Sequence, residues 1–409
     1  MKKTVYALGL LALTTVTSCT DNTYDLSKDN LDLSLQTGDR NTVLWLPNGS
    51  TANAMLKDLF SVSEGQNLKL IVDPETGRDF YCMQGDGEQD ATIELPAGGP
   101  YDWTSEINID KTSTTVGLGN IPEFLRREET CFDIINPIIF IKVDKPAGVD
   151  LKAVIKMTNV KDGKEKLTAC TKDIEQFKAE GNCSGDNAKT FYIAAEKVKD
   201  KDKADWPKDY REATWVELDE SKSTLQEMLR ELPDEFKIEL QDYQGKGSLS
   251  VEITMEYLFW APMRPGEDFK LNDDDAADGF KSDLKDVLFD AMEVQADVVG
   301  DLPMIVRLVP VAVNENGEAM NDVKLTINDR PFVEVPGDER TAIRVKLTAF
   351  GEARVSDFVN RDVNYFDGIR FDFTVLTKKG HPGQKIFSDM KVRLENMKMG
   401  IIGAGYDAN

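Results

Sequence analysis

The chain has 409 residues, with 73 Asp and Glu against 49 Lys and Arg, one His, and a formal net charge of −24. That balance excludes a nucleic-acid-binding surface, whose phosphate contacts need clustered basic residues, and it disfavours face-on attachment to anionic lipid. With 41% hydrophobic residues, the length supports two or three domains, each with its own core.

The first residues read as an export signal. Met1-Lys2-Lys3 is a short basic start, and Val5 to Val16 form an apolar run. A membrane-spanning helix needs about 20 such residues, so the run suits the apolar segment of a signal peptide instead. Val16-Thr17-Ser18 followed by Cys19 resembles the lipobox of bacterial lipoproteins: an aliphatic residue, two small residues, then a cysteine. In that family the thiol receives a diacylglycerol, the chain is cut before it, and the new amine is acylated. The expectation is a signal peptide over 1–18 and lipid attachment at Cys19, each buried methylene adding about 0.8 kcal/mol of membrane affinity. The alternative is a plain secreted protein with a cysteine at its cleavage site.

Residues 19–40 are polar and acidic and read as a tether that becomes a first strand, with Leu31, Leu33 and Leu35 on one face. An N-terminal β domain is expected over 41–119. Its segments are the strand "LWLP", a short helix capped by Ser50 or Thr51, the strand "NLKLIVD", a turn at Pro74-Glu75-Thr76-Gly77, and strands at "RDFYCMQGDG" and "ATIELP". A middle β-sandwich domain is expected over 120–262. There Ile139, Ile141 and Val143 alternate with Phe140, Lys142 and Asp144, and the Lys-Pro-Ala-Gly turn leads to a second strand, a hairpin pattern. "KVKDKDKADWPKDYR", residues 197–211, reads as a solvated loop around Trp206 rather than a recognition loop presenting it.

Ser223-Thr224-Leu225-Gln226 resembles a capping box opening the helix "LQEMLREL". "GSLSVEITMEY", residues 247–257, reads as a strand with Leu249, Val251, Ile253, Met255 and Tyr257 inward and Ser250, Glu252, Thr254 and Glu256 outward. The following Phe259-Trp260-Ala261-Pro262 is read as core or domain interface before binding surface. A C-terminal β-sandwich domain is expected over 263–409, where Val294, Ala296 and Val298 alternate ahead of a Gly-Asp-Leu-Pro turn and a second strand. Set beside residues 138–164, this is the same supersecondary unit used twice. Strands at "AIRVKLTAF", "GIRFDFTVL" and "MKVRLENMKMGII" complete a mainly β chain of tandem Ig-like β-sandwich domains with a few short helices.

The lipobox, "YDLSKDNLDL", "WLPNGST…LKDLF", "IPEFL…ETCFDIINPIIFI" and "MEYLFWAPM…DDDAADGF", in that order, resemble outer-membrane lipoproteins of Bacteroidales bacteria over nearly all of the mature chain. That family carries no assigned reaction. The resemblance therefore implies a lipid-anchored, β-rich ectodomain and transfers no site.

Four cysteines follow Cys19. In an exported chain they permit two disulfides: Cys170 with Cys183, closing the polar segment between them, and Cys82 with Cys131 by elimination. The single His381 lies in "KKGHPGQK" and reads as a turn residue, and there is no G-x-S-x-G elbow or Walker A motif. Carboxylates are abundant, but no pair among them stands out as the acid and base of a glycosidase. "NDDDAADG" offers Asp273, Asp274, Asp275 and Asp278 as a calcium candidate, although it lacks the ligand spacing of an EF-hand loop, and a polar turn before a helix near Asp278 is the favoured reading. No cofactor is expected.

The sequence thus points to a non-catalytic binding or scaffold lipoprotein at the outer membrane, on its surface or periplasmic face, docked on a membrane barrel, companion lipoproteins or a glycan and not on nucleic acid. A fimbrial or adhesin subunit that exchanges strands with its neighbours is the alternative, followed by a carbohydrate-active enzyme.

Overall fold

The computed structural model describes residues 43–47, 52–55, 62–63, 65–96, 98–103, 109–127, 129–275, 288–379 and 381–403. The expected signal peptide, Cys19 and the strand at Leu31–Leu35 lie outside them. The chain divides into two compact units rather than three. Residues 62–269 with 382–388 form a central unit, so the division expected at 119/120 falls inside one fold. The remaining described residues form a second unit, drawn from segments on both sides of the central one in sequence.

The first two strands, β1 (Val43–Pro47) and β2 (Ala52–Met55), belong to the second unit. β2 stands where a short helix was expected, paired antiparallel to the C-terminal strand. The central unit then supplies β3 (Leu68–Val72), β4 (Asp79–Ile93), β5 (Tyr101–Trp103), β6 (Ser113–Gly117), β7 (Ile138–Asp144) and β8 (Val149–Lys161). It continues with β9 (Lys164–Cys170), β10 (Lys178–Ala179), β11 (Lys189–Ala194), β12 (Thr214–Glu217), helix α1 (Leu225–Leu229), β13 (Glu235–Gly247) and β14 (Val251–Pro262). One sheet runs β12-β11-β7-β14-β4-β3; the other runs β10-β8-β13-β5, with β6 also on β13 and β9 also on β8. Alternating apolar residues from the two inner faces make the core, with Phe236 of β13 against Phe259 of β14 at a ring separation of 5.2 Å.

The second unit adds β15 (Lys270–Asp275), β16 (Ala291–Gly300), β17 (Met304–Asn314), β18 (Val323–Ile327), β19 (Val333–Pro336) and β20 (Thr341–Ala349). Helix α2 (Val355–Val359), β21 (Phe366–Thr377) and β22 (Lys391–Ile402) complete it. Its sheets run β1-β22-β16-β20-β18, with β2 also on β22, and β15-β21-β17-β19. The expected repetition is therefore one of topology. In the central unit β7 pairs β14 in one sheet while β8 pairs β13 in the other; in the second unit β16 pairs β22 while β17 pairs β21. The turns after β7 and β16 cross from sheet to sheet, so neither closes the hairpin that the alternation suggests. The hairpin in this stretch is β8–β9, closed by Asp162 and Gly163, both at positive φ.

Three local features differ from the sequence expectation. "RDFYCMQGDG" and "ATIELP" are a single 15-residue strand, β4. Its glycines are there for clearance: a Cβ on Gly85 would stand 2.5 Å from the Gly117 carbonyl oxygen, and one on Gly87 2.6 Å from that of Thr115. The capping box sits one residue later than expected. Thr224 accepts from the Glu227 amide and Glu227 accepts from the Thr224 amide, a cap contributing about 1 kcal/mol. Residues 248–250 form the β13–β14 connection, leaving Leu249 63% exposed, while Val251, Ile253, Met255 and Tyr257 are inward as read.

The largest difference concerns the charged segment 197–213. It folds back over the outer face of the first sheet, and Trp206 is only 3% exposed. The indole stands edge-on to Phe140 and Tyr192, each at 4.9 Å, and Tyr210 lies 4.7 Å from Phe140. Arg211 stitches the segment internally, its guanidinium donating to the Trp206 and Ala204 carbonyls. The sheet is therefore buried on both faces at its centre, which is why "IIFI" of β7 is apolar without interruption. Trp206→Ala is expected to cost about 3–5 kcal/mol by emptying this cluster. Urea denaturation checks it, and an unchanged midpoint would mean that the segment is solvated.

Candidate functional site

The flap formed by residues 197–213 covers only one end of the outer face. That end is apolar: Phe80 and Cys82 of β4, Ile138 and Phe140 of β7, Tyr192 and Ala194 of β11, and Trp260 of β14. The flap is held there by ionic contacts as well as packing. Lys385, from the returning segment 382–388, lies 2.9 Å from Asp205 of the flap and 3.1 Å from Asp73. Its ammonium also sits 4.6 Å from the centroid of the Phe80 ring, and Arg264 approaches Asp205 at 3.7 Å. Burial pushes the Asp73 carboxyl up, but hydrogen bonds from Thr76 and Lys385 outweigh it and hold the group below its ordinary value.

Beyond the flap the outer face turns polar. β4 carries Asp86, Glu88 and Asp90 outward, β14 carries Leu258, Glu256 and Thr254, and β7 carries Lys142 and Asp144. The register sets Glu88 directly opposite Glu256, and Lys142 opposite Glu256 on its other side. Lys142 pairs with both Glu256 oxygens, at 3.0 and 3.1 Å, and Thr254 donates to Asp90 at 2.7 Å. Where flap and polar face meet, an open cleft of about 400 Å³ is lined by Asp86, Gly87, Glu88, Tyr210, Glu256, Tyr257 and Leu258.

Tyr210 is the flap's contribution to this cleft. Its side chain is only 7% exposed, and its hydroxyl has no hydrogen-bond partner among the described residues. Burial raises the phenol to about 12, with the Glu256, Asp209 and Asp86 carboxylates adding to the effect, so it stays protonated at neutral pH. The cleft thus combines hydrogen-bond-accepting carboxylates, one neutral phenol and an apolar wall from Leu258. Among the described residues no group of three or more His, Cys, Asp or Glu is arranged to hold a metal ion.

The residues singled out from sequence lie elsewhere. Asp273, Asp274 and Asp275 continue β15 as strand backbone instead of forming a turn, and Asp278 lies outside the described residues. His381 is an exposed turn residue whose amide donates to the Lys378 carbonyl. Neither expected disulfide is present: Cys82, Cys131, Cys170 and Cys183 are all free thiols. Cys82 packs in the outer-face cluster with Phe80 and Trp260, whereas Cys131 is half-buried near Arg230 and Asp133. The loop before Cys183 is pinned by a buried ammonium instead of a disulfide: Lys145 donates to the Val149 and Gly181 carbonyls, each at 2.5 Å, and its own carbonyl accepts from the Cys183 amide. Burial raises the Cys82, Cys131 and Cys170 thiols and disfavours the thiolate needed for disulfide exchange. Asp86, Glu88 and Tyr210 were not singled out. The available signal was the outward placement of Glu256, which becomes informative only once β4 is known to be its neighbour.

Fold and site together define a β-rich protein of two sandwich units with an acidic surface cleft. No family model matches the chain, and no curated protein matches it in sequence. Among solved structures it is similar to a protein of Parabacteroides distasonis ATCC 8503 that is presumed to be secreted. The match has a TM-score of 0.59 at 13% identity and covers 88% of this chain and 99% of that one. It shows a shared fold. The infectious bursal disease virus VP2 particle also aligns, over 83% of both chains at 8% identity, but its TM-score of 0.12 carries no structural argument.

Two outcomes test the site's electrostatics. Glu88→Gln is expected to stabilise the protein by a few tenths of a kcal/mol, because it removes a like charge from directly opposite Glu256; differential scanning calorimetry reads the sign. Lys385→Met is expected to cost about 3–5 kcal/mol at neutral pH, because it removes the ammonium shared by the buried Asp73 and Asp205 and leaves Asp205 only the longer contact from Arg264. Because the folded Asp73 value is depressed, its stabilisation is full above the unfolded carboxylate value near 4 and is lost as pH falls below it. The Lys385→Met deficit should therefore shrink below about pH 4, and a deficit independent of pH would mean that Lys385 acts through packing alone.

Proposed function

We propose that this chain is a lipid-anchored, non-catalytic binding or scaffold component of the cell envelope, tethered through Cys19 to the outer membrane. The observation that carries the reading is the Val16-Thr17-Ser18-Cys19 sequence at the end of a signal-length apolar run, ahead of a mainly β chain. Three features support it. The fold is shared with a protein presumed to be secreted. No helix among the described residues is long and apolar enough to cross a membrane. The described cleft offers carboxylates, a neutral phenol and an apolar wall, groups suited to holding a cationic or hydrogen-bond-donating ligand. The partners of such a component are an outer-membrane barrel or companion lipoproteins.

Replacing the anchor residue tests the reading. Cys19→Ala should move the protein from the membrane to the soluble fraction and abolish incorporation of labelled fatty acid. A variant that still fractionates with membranes would remove the tether. In the same cells, a mild-detergent pull-down of the wild type should co-elute an envelope partner that the variant loses.

A further inference from the structure

We infer that the cleft beside Tyr210 binds a guanidinium group on a short apolar stem, as carried by an arginine side chain. The inference rests on the binding reading above but not on the lipid anchor.

Charge comes first. Lys142 is committed to Glu256, while the Asp86 and Glu88 carboxylates have no hydrogen-bond or ion-pair partner among the described residues. Glu88 and Glu256 face each other across antiparallel strands, an arrangement that costs stability unless a cation lies between or above them. These carboxylates project from rigid strands rather than a loop. β4 is clamped from its inner side by β6, whose Thr114 hydroxyl donates to the Glu88 carbonyl at 2.8 Å, and Gly85 and Gly87 allow that close approach.

The second observation is independent of the acidic residues. The Tyr210 ring is fixed against Phe140 under the flap, yet its hydroxyl is left without a partner where the cleft begins. With the ring buried and the hydroxyl open to the cleft, the oxygen is a fixed acceptor that a ligand donor can reach in place of water. A protonated phenol accepts a hydrogen bond from such a donor while the carboxylates accept others.

The donor's shape follows from the spread of acceptors. They come from two strands and a flap and are not arranged as a metal-holding group. A planar guanidinium carries five N–H donors in a fixed fork and reaches several acceptors at once, which a compact ammonium does less well. Leu258 gives the stem an apolar wall, and about 400 Å³ lies at the low end of small-ligand sites.

The test is calorimetric titration of the full chain, purified in mild detergent, with three probes. These are the peptide acetyl-Gly-Arg-Gly-amide, its citrulline counterpart of nearly the same shape without the charge, and agmatine as a free guanidinium. The arginine peptide should bind at least tenfold tighter than the citrulline peptide. Glu88→Gln should weaken it about tenfold, Tyr210→Phe about threefold to tenfold, and added salt should weaken it further. Unchanged melting curves for both variants, or a stabilised Glu88→Gln, separate lost contacts from lost fold. Agmatine binding as tightly as the peptide would assign the site to a free small cation; tighter peptide binding would assign it to a polypeptide partner. Equal binding of the arginine and citrulline peptides, no binding at millimolar concentrations, or affinities unmoved by both variants would overturn the inference. Fractionation of Cys19→Ala is read separately, so failure here leaves the anchor standing, and failure there leaves the cleft.

Discussion

Burial of both faces of β7 organises the central unit. A two-sheet sandwich ordinarily leaves the outer face of each sheet to water, and its strands then alternate. Here Ile139 and Ile141 face the partner sheet while Ile138 and Phe140 face outward, and all four are buried. The outward pair needs a cover, and the flap carrying Trp206 and Tyr210 supplies it. Lysine and aspartate dominate the flap sequence because its own outer surface meets water; Trp206 and Tyr210 belong to the surface below. The contact of Lys385 with Asp205 and Asp73 then ties flap, sheet edge and the returning segment 382–388 into one arrangement.

The two units show how much a topology tolerates. Each places an early strand beside the last one, pairs the first and last framework strands in one sheet, and pairs the two between them in the other. Residues differ almost everywhere, yet alternation and crossing turns persist, because they are what a two-sheet core requires. The units diverge at their margins. Helix α2 packs near the start of β16, with the Val355 and Ser356 amides donating to the Asp290 and Phe289 carbonyls. The flap over the outer face comes from the long excursion between β11 and β12, where β11 and β12 are parallel rather than hairpin neighbours.

Most strands were legible because period-two alternation is a local property. "AIRVKLTA" and the stretch from Val251 to Tyr257 announce both their conformation and their buried side, whereas "LKLIV" announces only its conformation, since Leu70 and Val72 are exposed. What failed depended on distant partners. β4 read as two strands because the β6 backbone that requires Gly85 and Gly87 within it is some thirty residues away. Trp206 read as solvated because the apolar face beneath it is built from four separate strands. Cysteine spacing suggested a disulfide where Lys145 holds the loop through carbonyls. The cleft was illegible for the same reason: Asp86, Glu88, Tyr210 and Glu256 come together only through sheet register and the path of the flap.

That dependence on register shapes the site. Carboxylates scattered over a strongly acidic surface are mobile and well hydrated, and each alone contributes little to recognition. At the flap margin the sheet fixes Asp86 and Glu88 on β4 and Glu256 on the adjoining β14, while the covered aromatic cluster fixes the ring of Tyr210 beside them. The ordering that a ligand would otherwise impose has already occurred on folding, driven by burial of Phe140, Trp206 and Tyr210. A site of this kind needs no cofactor or moving lid. It needs the boundary between a buried apolar half and an exposed acidic half of one sheet face, and that boundary is set by where the flap ends.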